Sequence, residues 1–377
     1  MTDGRRPILL QVISGLRKGG AEHALTRLAE HGVARSFDMH VLSLEDDGVF
    51  GDRLRAAGAT VHALELRRFP TTAWGRMTRL VREIRPRLLQ GWMYHGNIGA
   101  LIAARAAGPD IPLLWNIRQG LDDLGAEKRL TRMAIRLNGW FSRRPDQILY
   151  NSLRSRSQHE TFGFHSGHAR VIPNGFDLQT FAADASARAR LRSELGLSQT
   201  AILVGHFARF HPMKDHACLL RAAHLVLGHD VNIHFVIAGS GVTSESIGLA
   251  AHVEPRFHQN IHIFDDRTDV PGLMQAIDLY VSSSSRGEGF PNVIGEAMAS
   301  SRPCVGTDVG DTAYVVGDCG VIVPPRRPEA LAGGILQLAH DPVRRFRLGD
   351  QARQKIQSQF AIDRIVGQYV DLYTAML

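Results

Sequence analysis

Short runs of unalternated apolar residues recur along this chain, separated by stretches with apolar residues three and four apart. In the first half the runs fall at residues 8–13, 39–42, 61–64, 88–90, 113–116, 147–150 and 169–172. Residues 21–33, with Leu25, Leu28 and Ala29 on one face, typify the helical stretches between them. Strands that are apolar on both faces and alternate with helices form a parallel sheet covered on both sides. After a polar, Ala- and Arg-rich stretch at 174–200 the pattern restarts, with runs at 202–206, 233–238, 261–264, 279–282, 303–306 and 320–323. The expectation is an α/β chain of two Rossmann-like, doubly wound domains, residues 1–173 and 174–360, followed by an amphipathic helix at 361–377.

A length of 377 residues suits two domains of ordinary size. With 44% hydrophobic and 21% charged residues, the composition is that of a globular enzyme. No apolar run approaches the ~20 residues of a membrane span. Arg5 and Arg6 precede the run at 8–13, but that run is short for a signal peptide. A glycine-rich loop follows it where a cleavage site would stand, so it reads as the first buried strand. Three cysteines, Cys218, Cys304 and Cys319, form neither a disulfide framework nor a zinc-site spacing. The expected location is cytoplasmic. The net charge of +7 is uneven: residues 1–173 hold 26 Lys and Arg against 16 Asp and Glu, and the remainder 18 against 21. A basic first half suits an anionic membrane or a phosphorylated acceptor. It also suits solvated arginine-rich faces. Nothing in the sequence has the signature of a nucleic-acid-binding module.

In open α/β sheets ligands sit at the carboxyl ends of strands, and three loops there hold unusual residues. The first runs from Ser14 to Glu22 and includes Lys18, Gly19 and Gly20. Its glycines admit a close ligand, and the helix it opens favours an anion. The second, after residues 202–206, holds Arg209 and Lys214 on either side of Pro212, two cations suited to a diphosphate. The third runs from Ser282 through Glu288, Gly289, Phe290, Pro291, Asn292 and Val293 to Glu296. Small polar residues end a strand, a Gly-Glu-Gly-Phe turn follows, and Pro291 fits the first turn of a helix. Backbone N–H groups around residues 290–293 would then be open to a ligand, and the two carboxylates suit sugar hydroxyls.

Glu288 and Glu296, seven residues between them, resemble the paired glutamates of retaining GT-B glycosyltransferases of family 4. Arg209 and Lys214 have that family's spacing, Gly19-Gly20-Ala21-Glu22 is similar to its N-terminal loop, and Ile172 to Asp177 to its domain junction. The stretch from Asp308 and Gly310 to Gly320 and Pro324 resembles its closing loop. Two positions depart: Asp215 and Asp311 stand where many members carry glycine.

The resemblance implies a GT-B fold, two domains facing each other across a cleft, with helix 361–377 crossing back onto the first. It implies a retaining, metal-independent transfer of a hexosyl or N-acetylhexosaminyl group from a nucleotide diphosphate sugar, a UDP-sugar first of all, with no further cofactor. Arg209 and Lys214 would neutralise the departing diphosphate, and Glu288 would hold the donor sugar with the backbone of residues 289–292. Glu296 would bind the ribose, and Gly19 and Gly20 would admit the distal phosphate. His95, after the run at 88–90, resembles the family's histidine near the sugar and the acceptor; it also reads as a structural histidine. The implied acceptor is lipid-linked or a glycan of cell-envelope synthesis, met at the inner membrane face by basic segments such as 74–87 and 128–144. The competing readings are a catalytically silent nucleotide-sugar-binding protein and a non-hydrolysing nucleotide-sugar epimerase.

Overall fold

The computed structural model describes residues 6–17, 19–122, 124–182, 184–267 and 269–377. Arg5 and Lys18 lie outside the described residues. The chain divides into two compact units, Met1–Gly175 with Ile362–Leu377, and Phe176–Ala361.

The first unit is built on β1 (Ile8–Ile13), β2 (Asp38–Ser43), β3 (Thr60–Ala63), β4 (Leu88–Trp92), β5 (Leu113–Ile117), β6 (Gln147–Tyr150) and β7 (Ala169–Val171). All pair in parallel, in the order β3-β2-β1-β4-β5-β6-β7. The order reverses between β1 and β4, the switch point at which such sheets take ligands. Leu9, Val41, Leu88, Leu114 and Leu149 point to one face of this sheet, and Leu10, Leu42, Leu89, Trp115 and Ile148 to the other. Both faces are therefore core, which is why the strands show no alternation.

The second unit carries β8 (Ile202–Phe207), β9 (Ile233–Ala238), β10 (Ile261–Phe264), β11 (Leu279–Ser282), β12 (Cys304–Thr307) and β13 (Gly320–Val323). They too are parallel, in the order β10-β9-β8-β11-β12-β13, with the switch between β8 and β11. The stretch at 174–200 holds the helix Ala185–Glu194. Its Arg192, fully buried, is paired with Asp278 at 2.6 Å.

The helix expected at 21–33 begins at Gly20 and gives way at Ala29–Val33 to a wider π-type turn. Gly32 there takes φ 141°, a conformation that suits a residue without Cβ. β12 starts one residue later than the apolar run, because Pro303 has no N–H for the ladder; its carbonyl still accepts from Tyr280 N at 3.0 Å.

The last helix, Ile362–Ala375, belongs to the first unit. Ile362, Ile365, Val366, Tyr369, Leu372 and Tyr373 are buried in the core shared with β1 and β4. A polar chain runs beneath them. Trp92 Nε1 donates to Gln11 Oε1 at 2.6 Å, Gln11 Nε2 donates to the Tyr373 hydroxyl at 3.3 Å, and that hydroxyl donates to Gln90 Oε1 at 2.7 Å. Asn116 Nδ2 donates to the Tyr369 hydroxyl at 2.9 Å. The basic segment 74–87 spends its apolar residues inward: on the helix Ala73–Ile84, Met77 and Val81 are buried, and Trp74 and Leu80 pack on the same core.

Candidate functional site

β8 and β11 are neighbours, so the loops that leave their carboxyl ends run side by side. They are tied by backbone and hydroxyl bonds: Ser285 N donates to Met213 O at 2.8 Å, and Ser283 Oγ to Lys214 O at 2.7 Å. The result brings Lys214 onto Glu288. Its ammonium donates to Glu288 Oε1, and the same oxygen accepts from Ser284 Oγ at 2.7 Å. Both side chains are largely shielded, 20% and 14% exposed, so their attraction is weakly screened. The Ser284 carbonyl is held in turn by Thr307 Oγ1 at 2.6 Å.

The Gly-Glu-Gly-Phe turn is clamped from β12. Asp311 N donates to Gly289 O at 3.0 Å, and Gly310, at φ 60°, passes so close to the carbonyls of Glu288 and Gly289 that no Cβ fits. Asp311 meets the turn through its backbone N–H. Pro291 sits one place earlier than expected, as the cap of the helix Asn292–Ala299. The first ladder bond is Gly295 N to Pro291 O at 3.2 Å, which leaves the N–H groups of Val293 and Ile294 ahead of the ladder. Gly295 lies against the ring of Phe176, where a side chain would collide.

Between the two loops is a cavity of about 140 Å³, lined by Lys214, Ser284, Glu288 and Phe290 to Ile294, with His206 of β8 and Tyr280 of β11. Tyr280 is buried, and burial first, then Cys304, Glu288 and Glu296, raise its pKa well above the ordinary value. The two carboxylates thus act on one phenol from the loop and from the helix. Glu296 is half-buried.

Arg209 lies outside the cavity, exposed, as is Arg286 on the facing loop. Both act on His211, whose pKa is lowered by desolvation and then by Arg209, Lys214 and Arg286. Two exposed cations, one on each loop, and the shielded Lys214 therefore all act on His211. Asp215 takes φ 48°, which explains why glycine is the common residue at such a place. Its carboxylate accepts from Cys218 N at 3.1 Å and caps the helix His216–His229.

In the first unit the candidates also fall at the switch point. Gly19, extended at φ −167° and ψ 163°, caps the helix Gly20–Leu28 after β1, with the Glu22 carboxylate folded against it. Gly20 has no neighbour where a Cβ would stand. His95 opens to solvent in the first turn of the helix Met93–Ala107, after β4, and partial desolvation holds its pKa below the ordinary value. Met93, at the junction, is at φ 60°, a strained place for a side chain.

Ser284, Arg286, His206, Tyr280 and Arg118, none of them among the residues expected from the sequence to act, also stand at these strand ends and loops. Arg118, directly after β5, lies over the Trp92 ring at 5.4 Å and donates to Asn174 Oδ1 and, at 3.4 Å, to the Tyr369 hydroxyl. A cation directly after a largely apolar strand is its signal.

Residues 18–180 match the family model "Glycosyltransferase Family 4", and residues 200–341 match "Glycosyl transferases group 1". Among curated relatives, a putative glycosyltransferase EpsF of Bacillus subtilis is 31% identical over 138 residues, 37% of this chain and 35% of that protein. A phosphatidyl-myo-inositol mannosyltransferase of Mycobacterium tuberculosis is 28% identical over 278 residues, 69% of this chain and 70% of that protein. The matched stretch spans 35% to 56% of the length of the first curated relatives. The crystal structure of Anabaena HepE in complex with UDP has a TM-score of 0.81 at 22% identity, over 98% of this chain and 100% of that one. That likeness establishes the GT-B fold. Since the two family models take up both sheets in turn, and the second contains the whole of the Lys214–Glu288 site, the chain belongs to the group 1 glycosyltransferases.

Proposed function

We propose that the protein moves a hexosyl or N-acetylhexosaminyl group from a UDP-sugar to a lipid-linked or glycan acceptor of cell-envelope synthesis, with retention of anomeric configuration. The observation that carries this reading is the Lys214–Glu288–Ser284 cluster at the β8/β11 switch point, beside a helix N-terminus. Breaking a sugar–phosphate bond leaves positive charge on the sugar and negative charge on the diphosphate. Fixed cations aimed at the leaving group stabilise that separation. Lys214 and Arg209 are assigned this part, in place of a metal ion. Glu288 is assigned the donor sugar's hydroxyls, with the backbone of Gly289 to Asn292, and Glu296 the ribose. Gly19 and Gly20 are assigned the distal phosphate, and His95 the sugar and the acceptor. The relatives whose names specify lipid acceptors support the acceptor class, and the neighbour with bound UDP supports the nucleotide. The reading includes a cytoplasmic protein that works at an anionic leaflet.

The test is release of nucleoside diphosphate from a panel of nucleotide sugars, with and without EDTA, and the anomeric assignment of the product by NMR. UDP-sugar turnover that survives EDTA and yields a retained linkage is expected. Binding of UDP with no turnover on any donor and acceptor lipid extract would sink the enzyme reading. In the same assay Glu288→Gln is expected to lose turnover while binding UDP, and Glu296→Ala to bind UDP weakly. Equal loss of UDP affinity in both would remove the division of roles.

A further inference from the structure

The helix Arg129–Phe141 has two apolar faces. One, with Ala134, Ile135 and Asn138, is buried in the first unit. The other is unpartnered: Leu130 is 69% exposed, Met133 54% and Trp140 81%. With Leu137 these residues stand at i, i+3, i+7 and i+10, so they form a single stripe. Beside it runs a second stripe of Arg129, Arg132 and Arg136.

The stripe leads into a slot. Between this helix and Met93–Ala107 lies a cavity of about 150 Å³ walled by Ile98, Leu101, Ile102, Leu137 and Phe141, with the buried ring of Trp115 as its floor. Arg105 stands at its edge. The two helices that form it carry four arginines and no Asp or Glu. None of Arg105, Arg129, Arg132 and Arg136 makes an ion pair with a described residue.

An apolar slot with Arg105 at its edge, continued by an exposed apolar stripe that a row of arginines flanks, is complementary to a molecule with a hydrocarbon chain and an anionic head. We propose that the slot receives an acyl chain of an anionic phospholipid, with Arg105 and the Arg129–Arg132–Arg136 stripe on the phosphates and Leu130, Met133 and Trp140 at the depth of the glycerol. Such a helix lies in the interfacial plane with its apolar side below the headgroups. The slot adds what a surface stripe lacks, a place for one chain to leave the bilayer's packing. The proposal deepens the membrane part of the reading above, and it stands or falls without any catalysis.

The experiment uses the full chain and phosphatidylglycerol vesicles, with phosphatidylcholine vesicles as the neutral control. Trp140 is the one tryptophan among the described residues that is largely exposed, so its emission reports insertion. Expected are sedimentation with the anionic vesicles alone, a blue shift, and quenching by phosphatidylglycerol brominated on the acyl chains, the two fluorescence signals being absent for Trp140→Phe. Each arginine near an anionic surface strengthens binding by about fivefold, so Arg132→Glu with Arg136→Glu should release the protein. Leu101→Trp, which fills the slot, and Leu137→Glu, which charges it, separate the slot from the stripe. Both should lose binding to octyl phosphate, a single-chain probe, while melting and UDP binding stay at the wild-type values. Inorganic phosphate should bind neither variant nor wild type. If brominated chains fail to quench, or if either slot variant binds octyl phosphate as well as the wild type does, the slot is not a lipid site. Binding to vesicles that high salt removes entirely, with no blue shift, would reduce the surface to electrostatic adsorption and overturn the proposal.

Discussion

Lys214 and Glu288 neutralise each other, and neither has a second counterion in the cavity. With the roles proposed for them, their effects on catalysis should therefore be coupled. Lys214→Ala alone is expected to lower kcat by about 10²–10³, the usual cost of removing one donor to a developing anion. Glu288→Gln leaves a largely shielded ammonium without its partner, so the double variant should be less impaired than the product of the two singles. Kinetics on the four proteins of the cycle measure this, and strict multiplicativity would mean that the pair acts as two separate contacts. Arg209, exposed at the mouth, should behave differently: its loss should be felt more as salt is lowered, when a surface charge reaches furthest. Three buried histidines set a pH limit on the same molecule. Desolvation, first among the causes, lowers His206 to about 3 and both His159 and His216 to about 4. Above about pH 6.5 neither folded nor unfolded chain protonates them, and they do not affect stability. Below it the unfolded chain binds protons that the folded one refuses, so stability falls by roughly 1.4 kcal/mol per pH unit per histidine until the folded pKa is reached. Thermal unfolding from pH 7 to pH 5 should show this slope, and His206→Gln should reduce it. A variant slope equal to that of the wild type would show that His206 titrates normally.

At the scale of the element, strands were the most legible part of the sequence. An apolar run covered on both faces has one solution, and each expected run became a strand, with ends moved by a residue or two. What could not be read was set by backbone geometry. The π-type turn at Ala29–Val33 depends on Gly32, whose need for a positive φ has no periodic signal. Pro291 is a cap where a first-turn place was expected, because the clamp of Gly310 on the Gly-Glu-Gly-Phe turn delays the helix by one residue. The basic helix at 73–84 and the basic helix at 129–141 looked alike in sequence; only packing separates an inward apolar face from an outward one. Of the candidate site, the loops and their charged residues were legible, while the Lys214–Glu288 contact, made across the β8/β11 pair, was not. Asp215 offers a test of this local logic. Asp215→Gly loses the cap to Cys218 but relieves the left-handed backbone, so it should be nearly neutral; Asp215→Ala loses the one without relieving the other and should cost about 1–3 kcal/mol in chemical denaturation. Equal stability of the two would mean that the φ of 48° carries no penalty.

At the scale of the molecule, each unit repeats one plan, with its ligand-binding end fixed by where the strand order reverses. The switch between β1 and β4 gathers Gly19, Gly20 and His95, and the switch between β8 and β11 gathers Lys214, Glu288 and Phe290 to Val293. The units differ in how they are completed. The second is one continuous stretch, Phe176–Ala361, whereas the first takes its last helix from the far end of the chain. Deleting residues 362–377 uncovers the apolar side chains of β1 and β4 and strands Gln11, Gln90 and Asn116 without the two tyrosine hydroxyls. Unpartnered buried polar groups cost about 1–3 kcal/mol each, so limited proteolysis of the truncated chain should cut within 6–175 and spare 176–361. Uniform resistance would show that the helix is an ornament. The same arrangement governs biosynthesis. While the ribosome is making the second unit, the first has already emerged but lacks one of its walls; the second can finish as soon as it is released, and the first only after residues 362–377 have followed. The newborn amino-terminal sheet is thus the part that stays incomplete longest, and a message cut short before residue 362 yields a product whose second unit is whole and whose first unit lacks a wall.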